Sequence, residues 1–293
     1  MTTIMSRLVT ESRLRILVWA SLVSQILIVV TGGAVRLTGS GLGCPTWPSC
    51  TDDSLVNVPE MGIHGVIEFT NRLLTFVLLI IAVLTVLFAL KLARGRRIRI
   101  TSILLVAGIF LQAIIGGISV LMQLNPWVVG LHFVVSGLMI AVASVQLWRT
   151  YSLEISRPGT YEVLLARAIA IIGSIAVLVG VVVTGSGPHA GDAATPRNGL
   201  DTSLWQHYHS YPAYLTLAMA FTLLLIVRKR DVDGPASRIT FWLVICLILQ
   251  AIVGVAQARL GLPVGLVIVH MTLASIFMSL LTFQVLSTSS KVS

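Results

Sequence analysis

Three of the six histidines in this chain stand in a numerical relation that points to chemistry rather than packing. His132 and His270 are 138 residues apart, and the same offset superposes Leu111-Gln112-Ala113-Ile114-Ile115-Gly116 on Leu249-Gln250-Ala251-Ile252-Val253-Gly254. By that offset His209 falls on Asn71, so the intervals Asn71 to His132 and His209 to His270 are both 61 residues. Neutral imidazoles on opposing helices ligate one haem iron from its two faces, and His209 with His270 offers such a pair. A lone histidine in an apolar helix is equally well explained by a hydrogen bond to a neighbouring helix. Recurrence at matched positions of a duplicated unit favours ligation, for His132 as for the other two. His207 lies two residues before His209, about 200° around a helix, so only one of them faces the centre; the repeat selects His209.

The first copy departs from the second. Asn71 stands where the second copy has His209, and an asparagine is a poor iron ligand; a bis-histidine site here would need His64. His64, Glu68 and Asn71 are spaced i, i+4, i+7 and share one helix face, aimed at one pocket. This half is expected to leave an iron position open or to bind its haem loosely, as a substrate site should. Glu68 is one of 11 acidic residues and falls in the outer turns of an apolar helix, where a carboxylate is costly unless paired or wet. An ion pair with Arg72, four residues on, is one account of it. The other has Glu68 handling protons or positioning an intermediate beside a bound haem, with Arg72 meeting a propionate. The matching position in the second half is Gln206, which fits a structural site there.

The elements that must carry these residues are membrane helices. The chain is 56% hydrophobic and 11% charged over 293 residues, against roughly 25% charged in an ordinary soluble domain. Eight apolar stretches, at about residues 16 to 37, 65 to 90, 100 to 122, 127 to 148, 163 to 184, 204 to 227, 239 to 258 and 264 to 286, each reach the ~20 residues that a ~30 Å hydrocarbon core requires. All are predicted as helices, because backbone polar groups in lipid must pair within their own segment. The first run spans, and no small-residue cleavage site follows it before Arg36, so it reads as a retained helix. The fold class is therefore all-α: a polytopic membrane protein of two pseudo-symmetric four-helix bundles, 1–150 and 151–293, related by an axis along the membrane normal.

The net charge of +9 reflects orientation and not a nucleic-acid partner. Arg7, Arg13, Arg15, Lys91, Arg94, Arg96, Arg97, Arg99, Arg149, Arg157, Arg167, Arg228, Lys229, Arg230, Arg238 and Lys291 gather on one side, and Arg36, Arg72, Arg197 and Arg259 on the other. By the positive-inside rule both termini are cytoplasmic, in a multi-pass protein of the cell membrane. Cys44 and Cys50 then lie in the first outward loop, where an oxidising compartment permits a disulfide. A metal pair is the rival, but no further Cys or His lies close in that loop. Cys246 falls inside the seventh run and reads as packing.

These residues resemble the haem A synthase family, over most of the chain. The motifs that carry the likeness are Thr31-Gly32-Gly33-Ala34-Val35-Arg36-Leu37-Thr38-Gly39-Ser40-Gly41-Leu42-Gly43-Cys44-Pro45, Ile67-Glu68-Phe69-Thr70-Asn71-Arg72, Gly130-Leu131-His132, Thr184-Gly185-Ser186-Gly187-Pro188-His189-Ala190-Gly191-Asp192, His209 and Val269-His270. The resemblance implies an enzyme that oxidises a methyl group of haem O to the formyl group of haem A, by successive hydroxylations at one carbon and loss of water from a geminal diol. It implies a b-type haem cofactor between His209 and His270, haem O bound as substrate near His132, and Glu68 as the catalytic acid. The family's other first-half histidine is Asn71 here. The Cys44 and Cys50 pair resembles the first-half disulfide of members that have one, either structural or exchanging electrons with a partner. Arg36 is an interfacial anchor or a propionate contact, and His189 with Asp192 caps a Gly- and Pro-rich turn. A haem O synthase and an electron donor are the protein partners the likeness suggests. A non-catalytic b-type cytochrome is the main alternative, expected to keep both halves equivalent; a repeat-built transporter using histidines as proton relays is the third.

Overall fold

The protein is described by a computed structural model covering residues 9–151 and 158–289; Arg7, Arg157 and Lys291, three of the cations used to orient the chain, lie outside the described residues. Its helices are α1 (Glu11–Leu37), α2 (Gly62–Lys91), α3 (Arg96–Leu121), α4 (Pro126–Tyr151), α5 (Thr160–Ser186), α6 (Thr202–Arg230), α7 (Pro235–Arg259) and α8 (Val264–Ser287). A 3-10 turn, Pro59–Met61, leads into α2, and no strand occurs among the described residues. All eight helices are long and apolar enough to cross a membrane. Each apolar run falls on one helix, with ends displaced by five residues at most. The added turns are polar, as in Glu11-Ser12-Arg13 and Arg96-Arg97, because a helix outlasts its hydrophobic stretch wherever its end is capped.

Capping is local and explicit. Thr10 accepts from the Arg13 amide at the start of α1, and Asp201 accepts from the Ser203 and Leu204 amides at the start of α6. The Ser203 hydroxyl, with those two amides, holds the Asp201 carboxyl below the usual range. At the end of α1, Gly39 takes a φ of 67°, and the amides of Gly39 and Ser40 return to the carbonyls of Arg36 and Val35, the Schellman arrangement that glycine permits. That turn aims the following loop back over α2.

The chain forms two compact units. In the first, α1 packs on α2 and α4, and α3 closes the ring by packing on the same two; Gly191–Thr195 from the α5–α6 loop belongs to it as well. In the second, α5 and α7 each pack on α6 and α8. The interiors mix large apolar side chains, among them Leu14, Leu105, Ile140, Ile169, Leu223 and Leu243, with many small and polar ones, while other large apolar residues such as Ile16, Leu27, Ile80, Phe110, Ile171 and Ile252 are exposed. Ser21, Gln25, Thr85, Ser102, Ser144, Gln146, Thr216, Thr240 and Gln284 are buried. Apolar side chains thus lie both inside and outside, as lipid permits, since apolar surface gains nothing by leaving hydrocarbon while small and hydrogen-bonding side chains let helices approach closely. The duplication extends into these interiors: Gln146 donates to Ser102 at 2.7 Å, and the same offset gives Gln284 and Thr240, both fully buried. An ion pair ties the start of the first helix in each unit to the second helix's far end or the turn just after it, Glu11 with Arg94 at 3.4 Å and Glu162 with Arg230 at 3.0 Å.

Candidate functional site

In the second unit α6 and α8 bring His209 and His270 together edge to face, with ring centroids 6.3 Å apart and planes inclined at 76°. His209 is fixed by a 2.8 Å hydrogen bond between Nδ1 and the Ala176 carbonyl of α5, which leaves Nε2 as the nitrogen available to a ligand. A metal-bound histidine is generally held in this way through its other nitrogen. Space for both rings comes from glycines on the adjoining helices. A Cβ on Gly180 would stand 2.9 Å from Cε1 of His209, and one on Gly254 would stand 3.3 Å from Cε1 of His270.

In the first unit the His132 ring occupies the same seat, with a Cβ on Gly116 falling 3.2 Å from its Cε1. Gln112, one turn before Gly116, donates to the His132 carbonyl at 3.1 Å and to the Ser136 hydroxyl, tying α3 to α4 at the histidine. The buried Nδ1 of His132 and the buried Oδ1 of Asn71 have no hydrogen-bond partner among the described residues.

The face carrying His64, Glu68 and Asn71 exists, but what it meets changes along its length. His64 is exposed, and its Nδ1 pairs at 2.8 Å with the hydroxyl of Ser40, a fully buried residue. Glu68 is buried; its Oε1 pairs with Arg72 Nη2 at 2.6 Å, and its Oε2 accepts from the Cys44 amide at 2.7 Å. Arg72 also donates to the carbonyls of Cys44, Thr46 and Ser49. Asn71 instead meets α1, where a Cβ on Gly32 would lie 3.9 Å from its Nδ2. Cys44 and Cys50 are joined in a disulfide, so Glu68 and Arg72 together grip a cross-linked loop. That loop seats tightly: a Cβ on Gly43 would collide with the His64 carbonyl, and one on Gly117 with the Trp47 ring. Adjacent glycines of α3 thus seat His132 and Trp47.

Arg36, half-buried, runs along Gly191, whose carbonyl accepts from the Gly41 amide at 2.8 Å. Asp192 accepts from the Ala194 amide at 2.9 Å, the turn-capping role expected of it. His189 pairs through Nε2 with the Leu262 carbonyl at 2.9 Å, joining the α5–α6 and α7–α8 loops of the second unit. Exposed His207 lies on the other side of α6 from the His209–His270 pair.

These donors fit a porphyrin-held iron better than a metal held by protein alone. No group of three or more His, Cys, Asp or Glu residues suited to a metal occurs among the described residues, and a structural or catalytic zinc needs three or four. Two imidazoles suffice when a macrocycle supplies the other ligands. With a metal–nitrogen bond of about 2 Å and a ring radius of about 1 Å on each side, two axial imidazoles have centroids roughly 6 Å apart, close to the 6.3 Å found. What sequence reasoning missed are the glycine seats. Gly116 and Gly254 close the repeated hexapeptide and could have been found from it, whereas Gly180 carries no repeat signal.

Fold and site together define a polytopic helical membrane protein with facing histidines at one end of a duplicated four-helix unit. The chain belongs to the COX15-CtaA family, described as cytochrome oxidase assembly protein, which matches residues 15–282. Similar curated proteins named heme A synthase include that of Listeria monocytogenes serotype 4a, 27% identical over 295 residues, covering 93% of this chain and 95% of the relative. That of Staphylococcus epidermidis is 26% identical over 292 residues, covering 92% and 94%.

Proposed function

We propose that this chain is a haem A synthase, which oxidises a methyl group of haem O to the formyl group of haem A in cytochrome oxidase assembly. The observation that carries the reading is the contrast between two copies of one design. His209 and His270 face each other across 6.3 Å, while the first copy keeps His132, replaces the second imidazole with Asn71 and adds a buried acid, Glu68. A cytochrome that only passes electrons has no use for a buried acid in one copy where the other has Gln206.

In this reading haem b is the resident cofactor of the second half, 151–293, held by His209 and His270, and it supplies one-electron redox chemistry when bound. Haem O is the substrate of the first half, 1–150, beside His132. Glu68 holds and moves a proton at its carboxylate oxygens, and the Arg72 guanidinium with the Cys44 amide keeps that carboxylate in one orientation. Arg36 lies at the same end of α1 and suits a haem propionate. The distribution of Lys and Arg supports cytoplasmic termini in a cell membrane, and the Cys44–Cys50 disulfide supports an oxidising compartment for its loop. This chemistry needs an oxidant to take up the electrons removed from the methyl carbon, an electron donor where that oxidant is dioxygen, and a haem O synthase to supply the substrate.

The test is chromatography of the haems extracted from full-length protein purified from cells that make haem O. Wild type should carry haem b together with haem O or haem A. Glu68→Ala should keep the low-spin haem b spectrum and accumulate haem O without haem A. Glu68→Gln keeps the size of the side chain and one acceptor oxygen, but it removes the ionisable carboxyl and one of the two acceptors that serve Arg72 and the Cys44 amide; it should fail in the same way. Haem A at the wild-type level in either variant would sink the assignment of Glu68, and a colourless protein would sink the whole reading.

A further inference from the structure

The first unit presents one imidazole where the second presents two, and the residue in the missing position is a carboxamide with an unused atom. We infer that the first unit is a small-ligand site: iron held there takes His132 as its one protein ligand, and the Asn71 carboxamide lines the sixth position, donating a hydrogen bond to a diatomic molecule or small anion that binds to the metal. The inference rests on the reading of this unit as a haem O site and specifies what that site binds besides its substrate.

Four observations carry it. The seats of His132 and His270 match, with glycine Cβ positions 3.2 and 3.3 Å from the respective Cε1 atoms, so an iron on His132 lies as an iron on His270 would. Asn71 occupies the register of His209; its Oδ1 is buried without a partner, and no hydrogen bond among the described residues engages its Nδ2, which is left to donate. Each other nearby donor is engaged: His64 is exposed and paired with Ser40, and both Glu68 oxygens are taken up by Arg72 and the Cys44 amide. An amide is a poor iron ligand, yet its two N–H donors suit an acceptor atom bound to the metal. Polarity and donors around the sixth position decide what a haem binds there.

The experiment uses full-length protein purified with its haems. Spin state is read by electron paramagnetic resonance of the ferric form, and ligand binding by the spectral change of the reduced form under carbon monoxide, with cyanide titrated into the ferric form. Wild type should show two populations, a low-spin one inert to carbon monoxide and a high-spin one that binds it. Asn71→His should convert the second population to low-spin and cut carbon monoxide binding at least about tenfold with haem content unchanged, a change of about 1.4 kcal/mol. Asn71→Ala should keep the high-spin signal but bind cyanide about tenfold more weakly, through loss of one hydrogen bond. A second haem that is low-spin and inert in wild type overturns the inference while leaving the proposed function intact. Carbon monoxide binding gained only in His64→Ala overturns it by making His64 the second ligand, and unaltered cyanide affinity in Asn71→Ala overturns the role of the amide. Absence of any second haem overturns both readings together.

Discussion

Replacing Gly180 by alanine is the smallest change that reaches the His209–His270 pair. The added Cβ would stand 2.9 Å from Cε1 and 3.1 Å from Nδ1 of His209, inside ordinary contact distance, so the imidazole must tilt away from α5. The same ring is tethered by Nδ1 to the Ala176 carbonyl at 2.8 Å, one turn earlier on that helix, and the tilt stretches this bond. Overpacking of this size costs about 1–3 kcal/mol, and a compromised hydrogen bond about 1 kcal/mol more. Loss of a ligand-orienting contact lowers metal affinity roughly 10–100-fold, so haem retention should fall by that factor. Gly254→Ala is the internal comparison, because its Cβ would meet His270 Cε1 at 3.3 Å and a few tenths of an ångström of adjustment suffice; its loss should stay under about threefold, or roughly 0.7 kcal/mol. Gly173→Ala controls for crowding of α5 itself, since its Cβ would come equally close, 2.9 Å, to Cζ of Phe277. The assay is the low-spin haem spectrum of purified protein, followed as haem is drawn off by an excess of competing apoprotein. Haem retained by Gly180→Ala as in wild type, or lost equally from Gly173→Ala, would refute the view that this glycine exists to seat the ligand.

Two further outcomes follow from the first unit. Arg72→Lys keeps the charge but loses the planar fork that joins Glu68 to the carbonyls of Cys44, Thr46 and Ser49, and should destabilise the loop by about 2 kcal/mol. Protease nicking between Cys44 and Cys50 should rise roughly thirtyfold, and an unchanged rate would dismiss the clamp. Gln123 sits at a φ of 51° in the α3–α4 turn, and its counterpart by the repeat offset is Gly261 at 75°. Gln123→Gly should therefore stabilise the protein by up to about 1 kcal/mol once glycine's greater chain entropy is subtracted, read as a raised thermal midpoint in detergent. Leu124→Gly should lower it despite a φ of 56°, because Leu124 is buried; a fall in Gln123→Gly would mean that the turn is not strained.

The number of long apolar helices among the described residues and the pairing of the histidines were legible because each rests on a strong regularity. Hydrocarbon thickness sets the length of every apolar run, and a constant offset carries His132 onto His270 and one Leu-Gln-Ala hexapeptide onto the other. The roles of Glu68 and Arg72 were only half legible. Spacing of four residues announced their ion pair, but nothing in the sequence said that the remaining donors of Arg72 would turn to the carbonyls of a loop more than twenty residues earlier. The surroundings of His64 were not legible for a related reason. Periodicity places a residue on a helix face and is silent on whether that face meets a neighbouring helix or a returning loop, and the Gly39 turn brings Ser40 to His64. Gly180 could not be read at all, since a glycine that makes room for a side chain from another helix leaves no local pattern.

The two copies solve opposite problems with the same scaffold. In the second, α5 supplies both the glycine that admits the His209 ring and the carbonyl that fixes it, so a bound iron meets a ligand already oriented. Preorganisation of that kind lowers the ordering cost of binding and suits a group that stays. In the first, the polar reach of α2 goes to the disulfide loop through Glu68 and Arg72, and the register that would grip the iron a second time is an asparagine. A substrate held as tightly as a cofactor would slow every turnover at product release, since binding common to substrate, transition state and product does not accelerate the chemistry. On the proposed assignment, restoring the second imidazole by Asn71→His should strengthen retention of haem in the first unit and lower the rate at which haem A is formed, and turnover at or above the wild-type rate would refute the argument.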